Sequence, residues 1–476
     1  MKKKQQLEAK FLKMANSLKW KMDSYEFKKY ILGFVFYKYI SYNCEQNTIL
    51  KPEDSLSELL KRSNNIIIID EIKRILKSIE NTALGTEFED RFRNIFEDMD
   101  LDSVKLGKTP EARNESVLNM LKCLDSIDFE LQNYENDILG DCYEYLMDKF
   151  AAGSGKSGGE FYTPQQVAKI LAKIVTTGKT ELRSVYDPTC GSGSLLLRVS
   201  KEIKVYQYYG QELNRTTYNL ARMNMIMHNI DYRCFDIKHD DTLEHPHHID
   251  KKFEAIVANP PYGVSWSGSE RFLSDDRFSQ YGQLAPKDKA DYAFVQHMIH
   301  HLADNGIMAV VLPHGVLFRG KSEMRIRQYL VQDRNYLDGV IGLPANIFYN
   351  TSIPTCILIF KKCRESNDNI IFIDGSKEFE KDKNQNCLTD ANIEKIIDTY
   401  RNRKEIEKYS HLASLEEIKE NDFNLNIPRY VNTFEEEEQI DLNFVSQELK
   451  KIEYQIKLTD EIIDKFCEEL EIEKPF

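Results

Sequence analysis

The sequence lacks the features that would place this protein in a membrane, outside the cell or around a metal ion. No apolar stretch approaches ~18 uncharged residues, so no membrane span is expected. Residues 1–6 are basic, but no apolar segment follows them, which does not fit a signal peptide. The nine cysteines are scattered without a Cys-x-x-Cys pair. We therefore predict reduced thiols in a cytoplasmic protein, with neither disulfides nor a zinc site.

The patterns for other common sites are incomplete. Gly155-Lys156-Ser157 resembles the end of a phosphate-binding P-loop, but Phe150 stands where that motif needs a glycine. We therefore predict a mobile loop over residues 151–159 and no nucleotide hydrolysis. Residues 1–150 contain no metal-dependent nuclease cluster. Several histidines lack cysteine or carboxylate partners at metal-binding spacing, and we expect them to be solvated or packed. They are His245, His247, His248, His300 and His301.

The chain of 476 residues is long enough for two or three domains, and its formal net charge is −13. A protein that held a nucleic acid alone would usually present a basic face. If the ligand is a nucleic acid, the charge predicts that another subunit supplies much of the grip.

Three segments of the chain differ in pattern and predict three domains. Residues 1–150 are poor in Gly and Pro and predict a helical domain, whereas residues 151–432 alternate strand and helix patterns. Residues 433–476 carry a heptad pattern of apolar residues from Val445 to Leu470, which predicts a coiled-coil-like helical tail that packs on partner helices. One helix of the first domain is expected to begin at Asp23 or Ser24. Two further helices are expected to include Phe88–Phe96 and Ile138–Phe150.

The middle segment predicts a doubly wound, mostly parallel α/β sheet, because its strands alternate with helices. The expected strands are residues 183–187, 204–212, 231–238, 253–258, 306–312, 337–341 and 356–360. The last two can pair antiparallel. A long polar loop over residues 264–289 is expected to face the substrate. Open sheets of this kind bind ligands beyond the carboxyl ends of their strands.

An acid and a glycine turn follow the first of these strands. Asp187 ends the strand, and Gly191 and Gly193 allow a ligand to approach the backbone closely. Leu196 stands where a dinucleotide-binding motif has its third glycine, and the Asp187 carboxylate would repel a pyrophosphate. The combination favours a cationic cofactor without phosphates, and hence S-adenosylmethionine over NAD.

Two more acids follow the next strands. Glu212, ~20 residues beyond the glycine turn, suits a carboxylate that accepts hydrogen bonds from ribose hydroxyls. Asp241 suits an acceptor for an adenine amine. Each acid alone is an ordinary turn residue, but acids at three successive strand ends favour a cofactor site. Upstream, Thr163-Pro164 has the pattern of a helix N-cap and first position, which predicts a helix over residues 165–176.

The fourth strand ends at the motif Asn259-Pro260-Pro261-Tyr262. Pro260 and Pro261 cannot donate hydrogen bonds to a sheet, so the strand must stop there. A polar amide, two rigid carbonyls and an aromatic ring can together hold one planar, amine-bearing ring. A strand followed by a Pro-Pro turn explains these residues equally well when they are taken alone.

In combination and order, these motifs resemble the γ-class amino-methyltransferases, and the whole chain is similar to the modification subunits of type I restriction-modification systems. The resemblance rests on Gly159–Pro164, Asp187–Gly193, Glu212, Asp241, Asn259–Tyr262, Glu26–Gly33 and Asn426–Tyr430. Asp240 is a departure, because the family often has a glycine there.

The resemblance implies an adenine-N6 DNA methyltransferase that uses S-adenosyl-L-methionine. It implies a Rossmann-like methyltransferase sheet between the helical N-terminal domain and the helical tail. Two copies would join one DNA-specificity subunit and associate with a restriction subunit, without a membrane. The implied cofactor site consists of Glu160, Phe161, Tyr162, Thr163, Asp187, Thr189, Gly191, Ser192, Gly193, Glu212, Asp240, Asp241 and Asn259. The implied catalytic residues are Asn259, Pro260, Pro261 and Tyr262, with no metal.

Other functions share parts of the pattern. Protein-glutamine and RNA amino-methyltransferases also carry Asn-Pro-Pro-Tyr, but a glutamine methyltransferase would not need the long helical ends or Gly159–Pro164. A non-enzymatic scaffold that binds a partner through residues 445–470 would fail to bind S-adenosylmethionine. Asparagine at position 259, where cytosine-N4 enzymes more often have serine, favours adenine as the acceptor.

Overall fold

The computed structural model describes residues 8–10, 24–42, 49–64, 66–127, 138–152, 163–348, 351–365, 368–382, 385–433 and 442–473. The chain forms two compact units, Met1–Asn432 and Thr433–Phe476. The division into three domains at residues 150 and 432 stays a prediction. No helix of the described residues combines the length and the apolar character that crossing a bilayer requires.

The first unit begins with helices that enclose an apolar core. They are α1 (Ser24–Tyr42), α2 (Leu56–Arg62), α3 (Ile68–Asn81), α4 (Glu89–Phe92), α5 (Pro110–Asp125) and α6 (Ile138–Ala152). The start of α5 is fixed by Thr109, whose side chain accepts the Ala112 N–H, and by a proline at the first helical position. The helix predicted through Phe88–Phe96 is shorter than expected. It stops at Phe92 because Arg93 leaves the helical conformation with a ψ of 122°, and Asn94 then adopts a left-handed φ of 53°.

Strands and helices alternate in the rest of this unit. The strands are β1 (Glu181–Asp187), β2 (Lys204–Glu212), β3 (Phe235–His239), β4 (Phe253–Ala258), β5 (Leu302–Pro313), β6 (Leu337–Gly342), β7 (Thr355–Lys361), β8 (Ile370–Asp374), β9 (Glu380–Lys381), β10 (Asn386–Cys387) and β11 (Ser410–Ala413). The helices are α7 (Gln165–Val175), α8 (Ser194–Ser200), α9 (Arg215–Met227), α10 (Asp291–His301), α11 (Gly315–Phe318), α12 (Lys321–Gln328), α13 (Asp390–Arg401) and α14 (Leu415–Glu420).

Among the described residues, nine strands form one sheet in the order β11-β8-β6-β7-β5-β4-β1-β2-β3. Strand β7 runs antiparallel to both β5 and β6, and β11 runs antiparallel to β8, whereas the other pairs are parallel. The chain leaves β1 toward β2 and β3 and then returns to place β4 on the other side of β1. The sheet therefore has a topological switch point between β1 and β4, where its carboxyl edge opens a crevice.

The central strands are buried on both faces. In β4, Ala255 and Val257 belong to one core cluster, and Ile256 and Ala258 belong to the other. This follows from the alternation of side chains along a strand. Helices α7, α8 and α9 contribute to the first cluster and α10 and α12 to the second. Burial on both faces explains why β4 has a continuous apolar run instead of an alternating pattern.

The predicted strands and the antiparallel pairing of β6 with β7 are confirmed, with two differences. Strand β3 begins at Phe235, because the Cys234 N–H closes a turn on the Asp231 carbonyl (2.7 Å). The sheet also continues through β8 and β11, which the sequence analysis did not predict. The predicted helix over residues 165–176 is present as α7.

The second unit contains one helix among its described residues, α15 (Leu442–Glu469). Five of the predicted heptad positions are exposed on it, namely Val445, Leu449, Ile452, Ile456 and Phe466. The helical tail is therefore confirmed, and its role in binding a partner stays a prediction.

Candidate active site at the switch point

The turn after β1 lies against the end of β2. Gly191 and Gly193 adopt φ angles of 54° and 78°, a left-handed conformation that favours glycine. The Cys190 N–H donates to the Gln211 carbonyl (3.0 Å) and holds the turn on β2. A Cβ at Gly210 would lie 2.9 Å from Cys190 Sγ, so β2 needs a glycine where the turn crosses it. Gly210 was not among the predicted site residues, although an isolated glycine in a strand often marks a close backbone approach.

Glu212, at the end of β2, is held by backbone donors. Its Oε2 accepts the Gly191 N–H (2.9 Å) and its Oε1 accepts the Asn214 N–H (2.7 Å). Asn214 also caps α9, since its Oδ1 accepts the Thr217 N–H (3.0 Å). The carboxylate therefore stands at the mouth of the glycine turn in a fixed position. Its predicted contact with ribose hydroxyls stays a prediction.

Asp187, at the end of β1, is a buried acid with an unsatisfied oxygen. Only 1% of the residue is exposed, and its Oδ1 accepts the Thr189 N–H (2.9 Å). Its Oδ2 has no hydrogen-bond partner among the described residues. Burial raises the pKa of Asp187 to about 8, and the neighbouring Glu212 carboxylate acts in the same direction. A cationic group beside Asp187 would stabilise its ionised form, so the position suits a positively charged ligand.

Asp240 and Asp241 follow β3 and bond within their own turn. Asp241 Oδ1 accepts the Leu243 N–H (2.8 Å). The Asp240 carboxylate accepts the Asp241 N–H (2.8 Å) and lies 3.2 Å from a ring nitrogen of both His245 and His247. Burial acts to raise the pKa of Asp240, but hydrogen bonds from Asp241 and His247 outweigh it and lower that pKa. Within the described ranges, no group of three or more metal-ligating side chains is arranged to hold an ion.

Asn259 lies directly after β4, across the switch point from β1. Its amide is buried, and Nδ2 donates to Thr163 Oγ1 at 3.0 Å. The Tyr262 hydroxyl donates to Asn259 Oδ1 at 2.5 Å. The Tyr262 ring meets Phe348 edge to face at a centroid distance of 6.2 Å. Three residues predicted from two separate motifs are therefore in contact.

The prediction that Thr163 caps α7 is wrong. Pro164 occupies the N-cap position with extended backbone angles (φ −54°, ψ 139°), and no side chain caps the helix there. The first helical bond runs from the Ala168 N–H to the Pro164 carbonyl (3.0 Å). The Thr163 hydroxyl instead accepts a hydrogen bond from Asn259, which a local pattern cannot reveal. The predicted site residues Glu160, Phe161 and Tyr162 lie outside the described residues.

Two charged residues that the sequence analysis did not single out fix the turn after the Asn259 motif. Asp291, fully buried at the start of α10, accepts the Gly263 N–H on Oδ1 (3.0 Å). Its Oδ2 forms an ion pair with Arg319 (2.5 Å), which also pairs with Glu323. This network ties the end of the motif to α10 and α12. An acid at a helix start was the only local sign of it, and that sign is common to many helices.

The loop over residues 264–289 is packed and not an open polar segment. Three of its aromatic rings pack together at centroid distances of 5.1 to 5.5 Å; they are Trp266, Phe272 and Phe278. The buried Arg277 guanidinium donates to the carbonyls of Thr242 (3.1 Å) and Leu243 (2.9 Å). The loop is thereby joined to the turn that carries Asp241. Its contact with a substrate stays a prediction.

Comparison with known families agrees with this geometry. The N-6 DNA methylase family matches residues 134–439, and the HsdM N-terminal domain family matches residues 7–122. The chain belongs to the N-6 DNA methylase family.

Individual relatives extend the similarity along the chain. The chain is 36% identical to the type I restriction enzyme MpnII methylase subunit of Mycoplasma pneumoniae, over 96% of this chain and 93% of that protein. It is 31% identical to the MjaVII methylase subunit of Methanocaldococcus jannaschii, over 87% and 70%. A crystal structure of a type I restriction-modification methyltransferase subunit from Streptococcus thermophilus shares 42% identity over 90% of this chain and 99% of that chain, with a TM-score of 0.83.

These matches confirm the resemblance and the α/β fold with a methyltransferase sheet. The protein is an N6-adenine DNA methyltransferase and a methylase subunit of the type I restriction-modification class. A glutamine methyltransferase, an RNA methyltransferase and a non-enzymatic scaffold are not favoured. Membership in the methylase family implies S-adenosylmethionine as the methyl donor.

Proposed function

We propose that this N-6 DNA methylase transfers a methyl group to N6 of an adenine flipped out of DNA, with Asn259 at the acceptor position. The position of Asn259 carries the proposal. Its buried amide stands at the switch point, one strand away from the glycine turn, and it bonds to Thr163 and Tyr262. Ligand sites of open α/β sheets lie at this edge.

The residues after β1 and β2 fit S-adenosylmethionine. The buried Asp187 Oδ2 suits a cationic group, and the fixed Glu212 carboxylate suits ribose hydroxyls. Asp240 and Asp241 are the candidates for the adenine amine of the cofactor. S-adenosylmethionine, when bound, supplies a methyl group on a sulfonium. The full proposed set is Glu160, Phe161, Tyr162, Thr163, Asp187, Thr189, Gly191, Ser192, Gly193, Glu212, Asp240, Asp241 and Asn259.

Asn259 and Pro260 make the target amine reactive. The lone pair of an adenine amine is delocalised into the ring, so the amine is a poor nucleophile. In this proposal, Asn259 Oδ1 and the Pro260 carbonyl accept the two amine hydrogens, which localises the lone pair and stabilises the charge that develops on nitrogen. Tyr262, after Pro261, stacks on the base. Flipping the base costs a few kcal/mol, and holding it in line contributes to the rate.

Sequence recognition is proposed to come from a partner, because the chain carries a net charge of −13. The exposed apolar positions of α15, such as Leu449 and Ile452, suit packing on helices of a DNA-specificity subunit. We propose two copies of this chain per specificity subunit, a restriction subunit as a further partner, and a cytoplasmic complex. In this arrangement, residues 1–150 and 433–476 serve assembly and residues 151–432 serve methyl transfer.

Asn259→Ala, assayed in the complex with the specificity subunit, tests the proposal. We expect S-adenosylmethionine to bind still in calorimetry, because the cofactor contacts after β1 and β2 remain and only that of Asn259 is lost. Transfer of tritiated methyl to DNA should fall about 10²–10³-fold, the usual cost of removing one preorganised polar contact to a transition state.

Asn81→Ala, which removes an exposed amide of α3, is the matched control and should methylate normally. Mass spectrometry of the digested DNA should find N6-methyladenine for the wild type and the control. Normal methylation by Asn259→Ala would overturn the proposal, and so would a methylated cytosine in place of adenine.

A further inference from the structure

We infer that Thr163 is a positioning residue for methyl transfer, because its hydroxyl holds the buried Asn259 amide in place for the target amine. The inference rests on the proposed role of Asn259 and adds to it a residue from a different part of the chain. Thr163 and Asn259 are 96 positions apart, and the contact is buried.

The two contacts of Asn259 involve opposite ends of its amide. The contact with Thr163 Oγ1 measures 3.0 Å, which is the usual length of an N–H···O bond. The Tyr262 hydroxyl donates to the other end of the amide, Oδ1. Nδ2 therefore faces Thr163 and Oδ1 faces Tyr262.

This orientation is the one that methyl transfer needs. An adenine amine presents only hydrogens to Asn259, so it needs the carbonyl oxygen of the amide. If the amide turned over, Nδ2 would face the amine and two donors would meet. While Oδ1 receives the amine, the buried Nδ2 still needs an acceptor, since an unpaired buried donor costs free energy. The Thr163 hydroxyl supplies that acceptor.

Thr163 is well placed for this role. The residue is buried, and its β-branched side chain has few rotamers. Pro164 restricts the backbone that follows, and its carbonyl is bonded to the first turn of α7. The hydroxyl does not cap α7, so the helix makes no competing demand on it.

The reaction requires the Tyr262 contact to break, whereas the Thr163 contact can remain. Tyr262 donates to Oδ1, the same atom that the target amine would use, so its hydroxyl must leave when the base enters. Thr163 contacts the other end of the amide and can keep its bond throughout. Thr163 therefore holds the amide while the partner of Oδ1 is exchanged.

The test compares Thr163→Val, which has nearly the same shape without a hydroxyl, with Thr163→Ser, which keeps the hydroxyl. Both are assayed in the complex with the specificity subunit. We expect Thr163→Val to lower the single-turnover rate of methyl transfer at saturating S-adenosylmethionine about tenfold, the scale of one hydrogen bond. Thr163→Ser should recover most of the rate. Saturation separates this effect from any weaker cofactor binding by the variants, which the calorimetric Kd for S-adenosylmethionine measures.

Thr163→Ala provides a second hydroxyl-free variant if the valine variant folds poorly, as judged by its melting temperature. A wild-type rate in either hydroxyl-free variant overturns the inference. A raised Kd with a normal saturated rate also overturns it and leaves Thr163 with its proposed cofactor contact alone. A serine variant as slow as the valine variant overturns it as well. A failure of the proposed function looks different, because Asn259→Ala would then methylate DNA normally.

Discussion

The two halves of the site are held by different kinds of donor. On the cofactor side, Glu212 is fixed by backbone N–H groups, including that of Gly191. On the acceptor side, the amide of Asn259 bonds to the side-chain hydroxyls of Thr163 and Tyr262. A backbone donor cannot leave without unfolding its turn, whereas a hydroxyl can rotate away. In the proposed function, the cofactor half is therefore preformed, and the acceptor half would exchange a partner when a base enters.

The halves also differ in charge. The cofactor half places acids after three neighbouring strands, represented by Asp187, Glu212 and Asp241. The acceptor motif has no charged residue, and the acid behind it, Asp291, is neutralised by Arg319. A row of acids suits a cation, and an uncharged amide suits a neutral base. The comparison predicts that variants of the first half change cofactor affinity and variants of the second change the rate of transfer.

The largest effect on this comparison is expected from Glu212→Gln. The carboxylate accepts from both the Gly191 and the Asn214 N–H groups, and glutamine has only one oxygen to offer them. Its NH₂ group would face a donor, which disturbs the glycine turn and the proposed ribose contact. We expect the Kd for S-adenosylmethionine to rise about 10- to 100-fold, the value of one hydrogen bond to a charged group. Calorimetry measures it.

Glu254→Gln is the matched control. Glu254 in β4 also accepts a backbone N–H, that of Arg183 in β1 at 2.8 Å, but it lies at the amino end of β4. We expect this variant to bind the cofactor normally. Equal losses in both variants would mean that the carboxylates support the sheet and not a cofactor site.

Asp187 should make cofactor binding depend on pH. Its pKa of about 8 means that the carboxyl is largely protonated at neutral pH in the free protein. A cationic cofactor favours the carboxylate, so binding must release a proton below pH 8. We expect the Kd to rise by up to about tenfold for each pH unit below 8 and to level off above it. Asp187→Asn should remove most of this dependence.

The same group gives a readout that needs no cofactor. The pKa of Asp187 in the folded protein lies above its value of 3.8 in the unfolded chain. Its contribution to stability is therefore complete below about pH 3.8, decreases as the pH rises between the two pKa values and is lost above about pH 8. Asp187→Asn should raise the melting temperature more at pH 9 than at pH 5. A constant difference between the two proteins across this range would contradict the buried, protonated state.

The fold was predictable because its strands have strong local signatures. The apolar run Phe253–Ala258 followed by two prolines marks β4 and its end, and Asp187 and Glu212 mark the ends of β1 and β2. Strand β8 has an equally apolar sequence, Ile370–Asp374, but it follows the last strand that the motifs required. Strands β8 and β11 were therefore not predicted, although both belong to the sheet.

The contacts inside the site were not predictable, because they join distant parts of the chain. The Thr163-Pro164 pair fits a helix cap by every local rule, yet its hydroxyl bonds to a side chain 96 positions away. Asp291 has the pattern of an ordinary first-turn acid, and its partners Gly263 and Arg319 are each 28 positions distant. Local patterns locate strand ends, whereas tertiary packing decides which side chains meet there.

The smallest expected effect is that of Tyr262→Phe, which keeps the ring and removes the hydroxyl. Burial raises the pKa of Tyr262 well above its usual value, so the phenol remains a donor to Asn259 Oδ1 at any ordinary pH. Because the target amine must displace this donor, its loss should not slow methyl transfer. We expect a single-turnover rate within about threefold of the wild type, since one exchanged hydrogen bond is worth little net free energy.

Tyr262→Ala separates the ring from the hydroxyl. It removes the proposed stacking surface as well, which contributes about 1–3 kcal/mol per base at nucleic-acid sites. Fluorescence of 2-aminopurine at the target position should then show about 5- to 100-fold weaker capture of the flipped base, while the phenylalanine variant captures it normally. If Tyr262→Phe transferred the methyl group as slowly as Tyr262→Ala, the hydroxyl would act in the reaction itself. The acceptor half would then be as preformed as the cofactor half, and the contrast between exchangeable and fixed donors would not hold.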